Sequence, residues 1–157
     1  MNRLLFLSFV LFSHFSFSCD EQPSVHSVHA DDLISRTNQI ILAKVVSAEI
    51  SENGNEVSYK FKTIKVLKGN HLETFEILGY PLFEDEVKSF NHHNSEDFWT
   101  NHGGRVNGWT DCEIHPGFAV GLKYLVFMGK PYHVKSFELI YGTNDKWLLY
   151  VEGKLKP

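Results

Sequence analysis

The chain has 157 residues, of which 43% are hydrophobic and 22% charged, and its formal net charge is −4 at pH 7. This length and apolar content suit one domain with a single well-filled core. A mildly acidic chain without a run of basic residues is a poor candidate for binding nucleic acid or anionic lipid, and we expect neither as a partner.

Residues 1–18 have the pattern of a secretory signal peptide. Arg3 gives a short positive end, residues 4–12 are apolar apart from one serine, and residues 16–18 follow the small-x-small rule of signal cleavage. The apolar run is too short to cross a bilayer as a helix. We therefore expect an exported protein, periplasmic or extracellular, whose mature chain begins at Cys19 and has no transmembrane span.

Cys19 has two alternative fates. Lipoprotein signals also end just before a cysteine, although the position three residues earlier is usually Leu and is Ser16 here. The other cysteine of the chain is Cys112, and two cysteines in an exported chain are most simply one disulfide. The sequence leaves lipid anchoring and disulfide formation as alternatives.

The first half of the mature chain is predicted to be one short helix followed by long strands. Acidic residues open the segment 29–38 and a basic residue lies near its end, as in a short helix. Residues 40–50 are apolar at both parities, which indicates a strand buried on two faces. In residues 56–68 the alternation shifts by one position between Phe61 and Ile64, which predicts a β-bulge. A long bent strand of this kind is what a small closed barrel requires.

The second half continues the β-rich pattern after an interruption. Residues 74–80 predict a strand, and residues 81–111 lack strand periodicity and form an irregular insertion. Residues 118–127 predict a strand with a glycine kink, and the segments 137–141 and 147–151 predict a hairpin. We therefore predict a mainly β fold, an OB-type barrel of five to seven strands with one or two short helices.

The insertion also offers a candidate metal site. It contains His92, His93 and His102, with Glu96 and Asp97 between them. Imidazole and carboxylate groups suit zinc or copper, whereas the simpler alternative is a polar surface loop.

Several strings occur in an order that resembles a known family. Cys19 precedes the predicted helix, and LAKVV follows at residues 42–46 and YKFKTIKVLKG at residues 59–69. Cys112 and then VGLKYLVF at residues 120–127 complete the order. This arrangement resembles the N-terminal domain of the tissue inhibitors of metalloproteinases and the wider netrin-like group, which are built on an OB-type barrel. The likeness covers the chain from Cys19 to the end of the last string, interrupted by the insertion.

The resemblance implies a disulfide between Cys19 and Cys112 and a partner-binding site at Cys19, Asp20 and Glu21. In that family the α-amine and carbonyl of the first cysteine chelate the zinc of a metalloprotease. This chain departs from the family at two positions: Glu21 replaces a second cysteine, and Asp20 replaces a small uncharged residue.

These observations lead to one predicted function and one alternative. We expect residues 19–157 to form one domain that acts as a non-enzymatic protein-binding module, in its most specific form a metalloprotease inhibitor acting through Cys19. We assign no catalytic residue and no cofactor, because the common enzyme motifs are absent from the sequence. The alternative is an envelope lipoprotein anchored at Cys19 that binds a ligand or a metal through residues 81–111.

Overall fold

A computed structural model describes residues 29–52, 54–82, 93–100, 103–105, 108–110 and 113–156. Their regular elements in chain order are α1 (Ala30–Arg36), β1 (Gln39–Ile50), β2 (Val57–Lys68), β3 (Thr74–Gly79), a 3-10 helix (Asp97–Trp99), β4 (Gly108–Thr110), β5 (Glu113–His115), β6 (Lys123–Met128), β7 (Phe137–Leu139) and α2 (Lys146–Lys154). Within these ranges, neither α-helix is long and apolar enough to cross a membrane.

Five of the strands form one antiparallel sheet in the order β3-β2-β1-β6-β7, and β4 and β5 form a separate two-stranded hairpin. The predicted mainly β architecture with short helices is confirmed. The predicted barrel is not confirmed, because β3 and β7 lie at opposite edges of the sheet and do not pair. On the β3 side, the amide of Tyr80 donates a hydrogen bond to the carbonyl of Pro116 at 3.1 Å.

The predicted bulge in β2 is present. Ala43 of β1 pairs with Thr63 and Leu42 pairs with Lys65, so that Ile64 has no partner in β1. Two residues of β2 therefore face one position of β1, which shifts the alternation and bends the strand. The shift lies where the apolar pattern of the sequence changes parity.

The first half of β1 is buried on both faces, as predicted, but the second half is not, since Val46 is 43% and Ile50 is 67% exposed. Ile41, Ala43 and Val45 lie on one side, which we call the inner face, and Ile40 and Leu42 lie on the other. All five have at most 9% of their surface exposed. The central strand of the sheet therefore has a hydrophobic cluster on each side.

Phe118 fills the centre of the inner face. It comes from the segment between β5 and β6, and its ring is perpendicular to four aromatic rings carried by the strands. The distances between ring centroids are 4.9–5.3 Å, to Tyr59, Phe61, Tyr124 and Phe137. Edge-to-face packing is the preferred arrangement of aromatic pairs and adds to the hydrophobic burial of each ring.

The two α-helices and the 3-10 helix cover the opposite side of the sheet, which we call the helical face. Helix α1 lies within the predicted segment and buries Leu33 and Ile34. Phe98 of the 3-10 helix and Trp147 of α2 are also buried against this face, with exposures of 2% and 0%. The helices bury the apolar side chains that β1 and β6 present on this side.

The prediction that residues 147–151 form a strand is wrong, because they belong to helix α2. The carboxylate of Asp145 caps this helix by accepting from the amides of Trp147 (3.0 Å) and Leu148 (3.1 Å). Trp147, Leu148 and Val151 are the buried residues, a spacing that places them on one side of a helix. A run of apolar and aromatic residues satisfies the strand pattern equally well, and the N-terminal cap is the feature that distinguishes a helix from a strand here.

Candidate functional site

The residues that the sequence assigned to partner binding, Cys19, Asp20 and Glu21, lie outside the described residues, and so does Cys112. The structure does describe Glu113, the residue after Cys112, and Thr110, two residues before it. Thr110 and Glu113 are paired across the β4–β5 hairpin, and Cys112 lies between them in the sequence.

A groove of about 270 Å³ lies between β3 and β5. Its lining includes acidic, basic and apolar side chains, namely Glu56, Glu76, Leu78, Ile114, Lys130 and Tyr132. We call this the seam groove, because it separates edge strand β3 from the β4–β5 hairpin.

Strand β3 presents an open edge at the seam groove. Its ladder partner among the described residues is β2 alone, and the side chain of Leu78 is 65% exposed. Gly79 also lines the groove, and a Cβ atom there would lie 1.7 Å from the carbonyl oxygen of Pro116. The groove thus has an exposed apolar side chain on its β3 wall and a close backbone contact at Gly79.

The hairpin wall of the seam groove carries an ion pair and a stacked pair of rings. Lys130 Nζ lies 2.7 Å from a carboxylate oxygen of Glu113, and this hydrogen bond raises the pKa of Lys130. The ring of His115 stacks on that of Tyr80, with centroids 4.4 Å apart. These contacts order the side chains of the hairpin that flank Cys112 in the chain.

A second cluster of charged groups is buried where the insertion meets the sheet. The Nδ1 of His93 donates to Oδ2 of Asp145 (2.8 Å) and its Nε2 donates to Oε2 of Glu138 (3.2 Å). The three side chains are 2–6% exposed. The imidazole ring is therefore held between two carboxylates, one from β7 and one at the start of α2.

His93 is positively charged at neutral pH because of these carboxylates. Burial by itself lowers the pKa of His93, but the hydrogen bonds to Asp145 and Glu138 outweigh that effect and raise it to about 9. A doubly protonated ring has no lone pair for a metal ion. Both ring nitrogens of His93 are bonded to carboxylates, an arrangement that opposes the metal coordination given above as one alternative for the insertion.

The other residues of that alternative are described only in part. His92 and His102 lie outside the described residues, and Glu96 and Asp97 flank the start of the 3-10 helix. Within the described ranges no group of three or more His, Cys, Asp or Glu side chains is placed to hold a metal ion.

Two further cations hold the insertion against the sheet. Arg105 donates its amide to Glu138 (2.6 Å) and its guanidinium to the carbonyls of Phe137 (3.2 Å) and Gly117. Lys135 donates to the carbonyls of Thr100 (2.8 Å) and Gly103. Burial lowers the pKa of Lys135 to about 8, although the negative charge of Glu138 opposes the shift. The whole cluster joins the described part of the insertion to β7 and α2, which is a structural role.

Sequence reasoning missed Glu138 and Asp145. Glu138 is an acidic residue inside a short apolar strand, and Asp145 follows a Gly-Thr-Asn turn directly before an apolar run. The first pattern signals a buried carboxylate that needs a partner, and the second signals a helix cap.

The structure describes the side chains of Trp99 and Trp147. Trp147 is fully buried, whereas Trp99 is 40% exposed and donates its indole N–H to the carbonyl of His93 (3.1 Å). The ring of Trp99 packs against those of Phe98, Trp147 and Tyr150, with centroids 5.2–6.0 Å away.

No protein-family model matches this chain, and no curated protein sequence is significantly similar to it.

Proposed function

We propose that the protein is an exported, non-enzymatic protein-binding module whose partner contacts the seam groove, the β4–β5 hairpin and the mature N-terminus. The observation that carries this proposal is the open edge of β3 beside a groove with the exposed side chain of Leu78. An exposed strand edge is a template for an extended segment of another protein. Apolar side chains beside the edge add contact area for such a segment.

The order of the strands supports a relation to the OB-type barrel. In the order β3-β2-β1-β6-β7, β3 and β7 are the edges that would meet if the sheet closed. We propose that the sheet is an opened form of that barrel, in which the seam groove and the hairpin occupy the side near β3.

The N-terminal part of the proposal depends on the disulfide. A Cys19–Cys112 bond would hold Cys19, Asp20 and Glu21 at the link between β4 and β5, next to the seam groove. A free α-amine has a pKa of about 7.7–8.0, so that a substantial neutral fraction exists at physiological pH. A catalytic zinc ion keeps a coordination position that such an amine can fill. A zinc metalloprotease is therefore the partner class that we propose.

The experiment is an inhibition titration of protein that begins at Cys19 and carries the disulfide, against a panel of zinc metalloproteases. We expect inhibition of at least one protease. A matched variant with one alanine added before Cys19 should lose it, because the added residue displaces the α-amine from the zinc. Unchanged protease activity at micromolar concentrations of the disulfide-bonded protein would contradict the inhibitory function.

The groove is tested in the same assay by Leu78→Lys. A charge at this exposed position should weaken inhibition about tenfold without affecting the fold. Val120→Lys is the matched control, because Val120 is 55% exposed and does not line the groove. Equal effects of the two substitutions would show that the groove does not contact the partner.

The alternative function is an envelope lipoprotein anchored at Cys19, and lipid anchoring remains a prediction that the mass of the exported protein decides. Binding of a ligand or a metal through residues 81–111 also remains a prediction. The carboxylates bonded to both ring nitrogens of His93 oppose a metal at that residue.

A further inference from the structure

Three lysines lie side by side on three neighbouring strands. Lys44 of β1 pairs directly with Lys62 of β2 on one side and with Lys123 of β6 on the other. Neighbouring strands are about 4.7–4.9 Å apart, so these side chains leave the sheet as one row. All three are exposed on the helical face. Lys44 lies two residues after Leu42 in β1, and Lys123 lies two residues before Leu125 in β6. We call them the lysine row.

The lysine row has no compensating carboxylate among the described residues. Other lysines of the chain are ion-paired, at 2.7–2.8 Å, namely Lys65 with Glu152, Lys130 with Glu113 and Lys154 with Asp31. No such contact joins a described acidic residue to any member of the row. Like charges directly opposite each other destabilise a sheet. The free protein therefore carries an electrostatic cost at this position.

Protection against edge-to-edge aggregation does not explain the row. Lysine is used for that purpose on edge strands. Here β2, β1 and β6 are the three interior strands of the sheet. Because the repulsion between these lysines protects no edge strand, we look for its use in binding.

Two exposed apolar side chains flank the lysine row. Ile64 occupies the bulge of β2, and a second register shift leaves Val46 of β1 without a partner in β2. Val46 is 43% and Ile64 is 50% exposed. The two bulges lie on either side of the Lys44–Lys62 pair, so the row forms part of a surface that is both basic and apolar.

We propose that the lysine row, together with Val46 and Ile64, docks an acidic segment of a partner protein that also carries apolar side chains. Three adjacent ammonium groups complement carboxylates, and the flanking side chains complement apolar residues of the same segment. A sulfated polysaccharide would match the lysines but not the apolar side chains. The net charge of −4 disfavours binding to an anionic membrane surface. This docking surface goes beyond the proposed function and is separate from the seam groove.

Fluorescence anisotropy with defined peptides tests the proposal. The probe is a labelled peptide of alternating Glu and Leu, and the comparison peptide has Gln in place of Glu. We expect the acidic peptide to bind the wild type, with an affinity that falls as salt is raised, and the Gln peptide not to bind. The triple variant K44Q/K62Q/K123Q should bind the acidic peptide about tenfold more weakly, because three exposed ion pairs are lost.

A second triple variant controls for net charge. K146Q/K154Q/K156Q removes the same charge from exposed lysines in and just after helix α2, outside both the lysine row and the seam groove, and should bind the peptide as the wild type does. The row variant should also keep or raise the melting temperature, because it removes repulsion between opposed lysines.

Several outcomes would overturn the docking surface. These are equal losses of affinity in the two triple variants, equal binding of the Gln peptide, or binding confined to phosphatidylglycerol vesicles or a sulfated polysaccharide. The assay does not use the mature N-terminus or a protease. Failure here therefore leaves the proposed inhibitory function standing, and the failure of that function leaves the lysine row standing.

Discussion

Replacing His93 with alanine is expected to lower the free energy of unfolding by about 3–5 kcal/mol, because it leaves Glu138 and Asp145 buried without their shared cation. The loss should appear in chemical denaturation as a lower midpoint. His71→Ala is the matched control, because His71 is exposed, and it should change the free energy of unfolding by no more than about 0.5 kcal/mol. A small effect of His93→Ala would mean that the carboxylates find other partners.

The unfolding free energies of the wild type and of His93→Ala should depend differently on pH. The pKa of His93 rises from 6.5 to about 9 on folding, so its stabilisation is complete below pH 6.5 and is lost as pH rises through 9. The difference in unfolding free energy between wild type and His93→Ala should shrink by about 3 kcal/mol over that range. Lys135, whose pKa is lowered to about 8, contributes in the opposite direction above pH 8, and it is present in both proteins. A difference that stays constant with pH would contradict the charged state of His93.

Trp147→Ala is expected to cost about 3–5 kcal/mol of stability, the range for removing a fully buried aromatic side chain. The indole ring packs against four other aromatic rings, with centroids 5.4–6.0 Å away, in Phe98, Trp99, Phe127 and Tyr150. Its loss would leave a cavity under helix α2. Thermal unfolding of purified variants measures the effect.

Two variants on the same helix make this prediction specific. Leu149→Ala changes a side chain that is 49% exposed and should cost much less. Trp147→Phe should also cost less than Trp147→Ala, because it keeps an aromatic ring and the indole N–H has no hydrogen-bond partner among the described residues. If Leu149→Ala proves as costly as Trp147→Ala, the orientation of the helix is wrong.

The strands of the first half were predictable because local pattern and burial coincide there. Strand β1 is apolar at both parities and has a hydrophobic cluster on each side, and the parity change in β2 marks the bulge at Ile64. The pattern in α2 is ambiguous, because a run of consecutive apolar and aromatic residues fits both periods. In that case the capping carboxylate of Asp145 was the informative signal.

Closure of the sheet and the buried charges depend on contacts that no local pattern contains. Whether the edge strands β3 and β7 pair depends on the tertiary packing of the segments around them, not on the local sequence of either strand. His93 finds Glu138 and Asp145 across 45 and 52 residues of chain. The sequence showed a histidine-bearing insertion, with a metal site as an alternative to a polar surface loop, whereas the structure surrounds His93 with carboxylates from two other elements. The predicted binding residues at Cys19 to Glu21 lie outside the described residues and remain a prediction.

The intact mass of the exported protein tests the central claim most directly, namely that the mature chain begins at a cysteine bonded to the β4–β5 hairpin. We expect the mass of residues 19–157 reduced by two hydrogens, with the missing hydrogens restored by a reducing agent. Acyl chains on Cys19, or two free thiols in the exported protein, would contradict the claim and remove the basis for an inhibitory N-terminus.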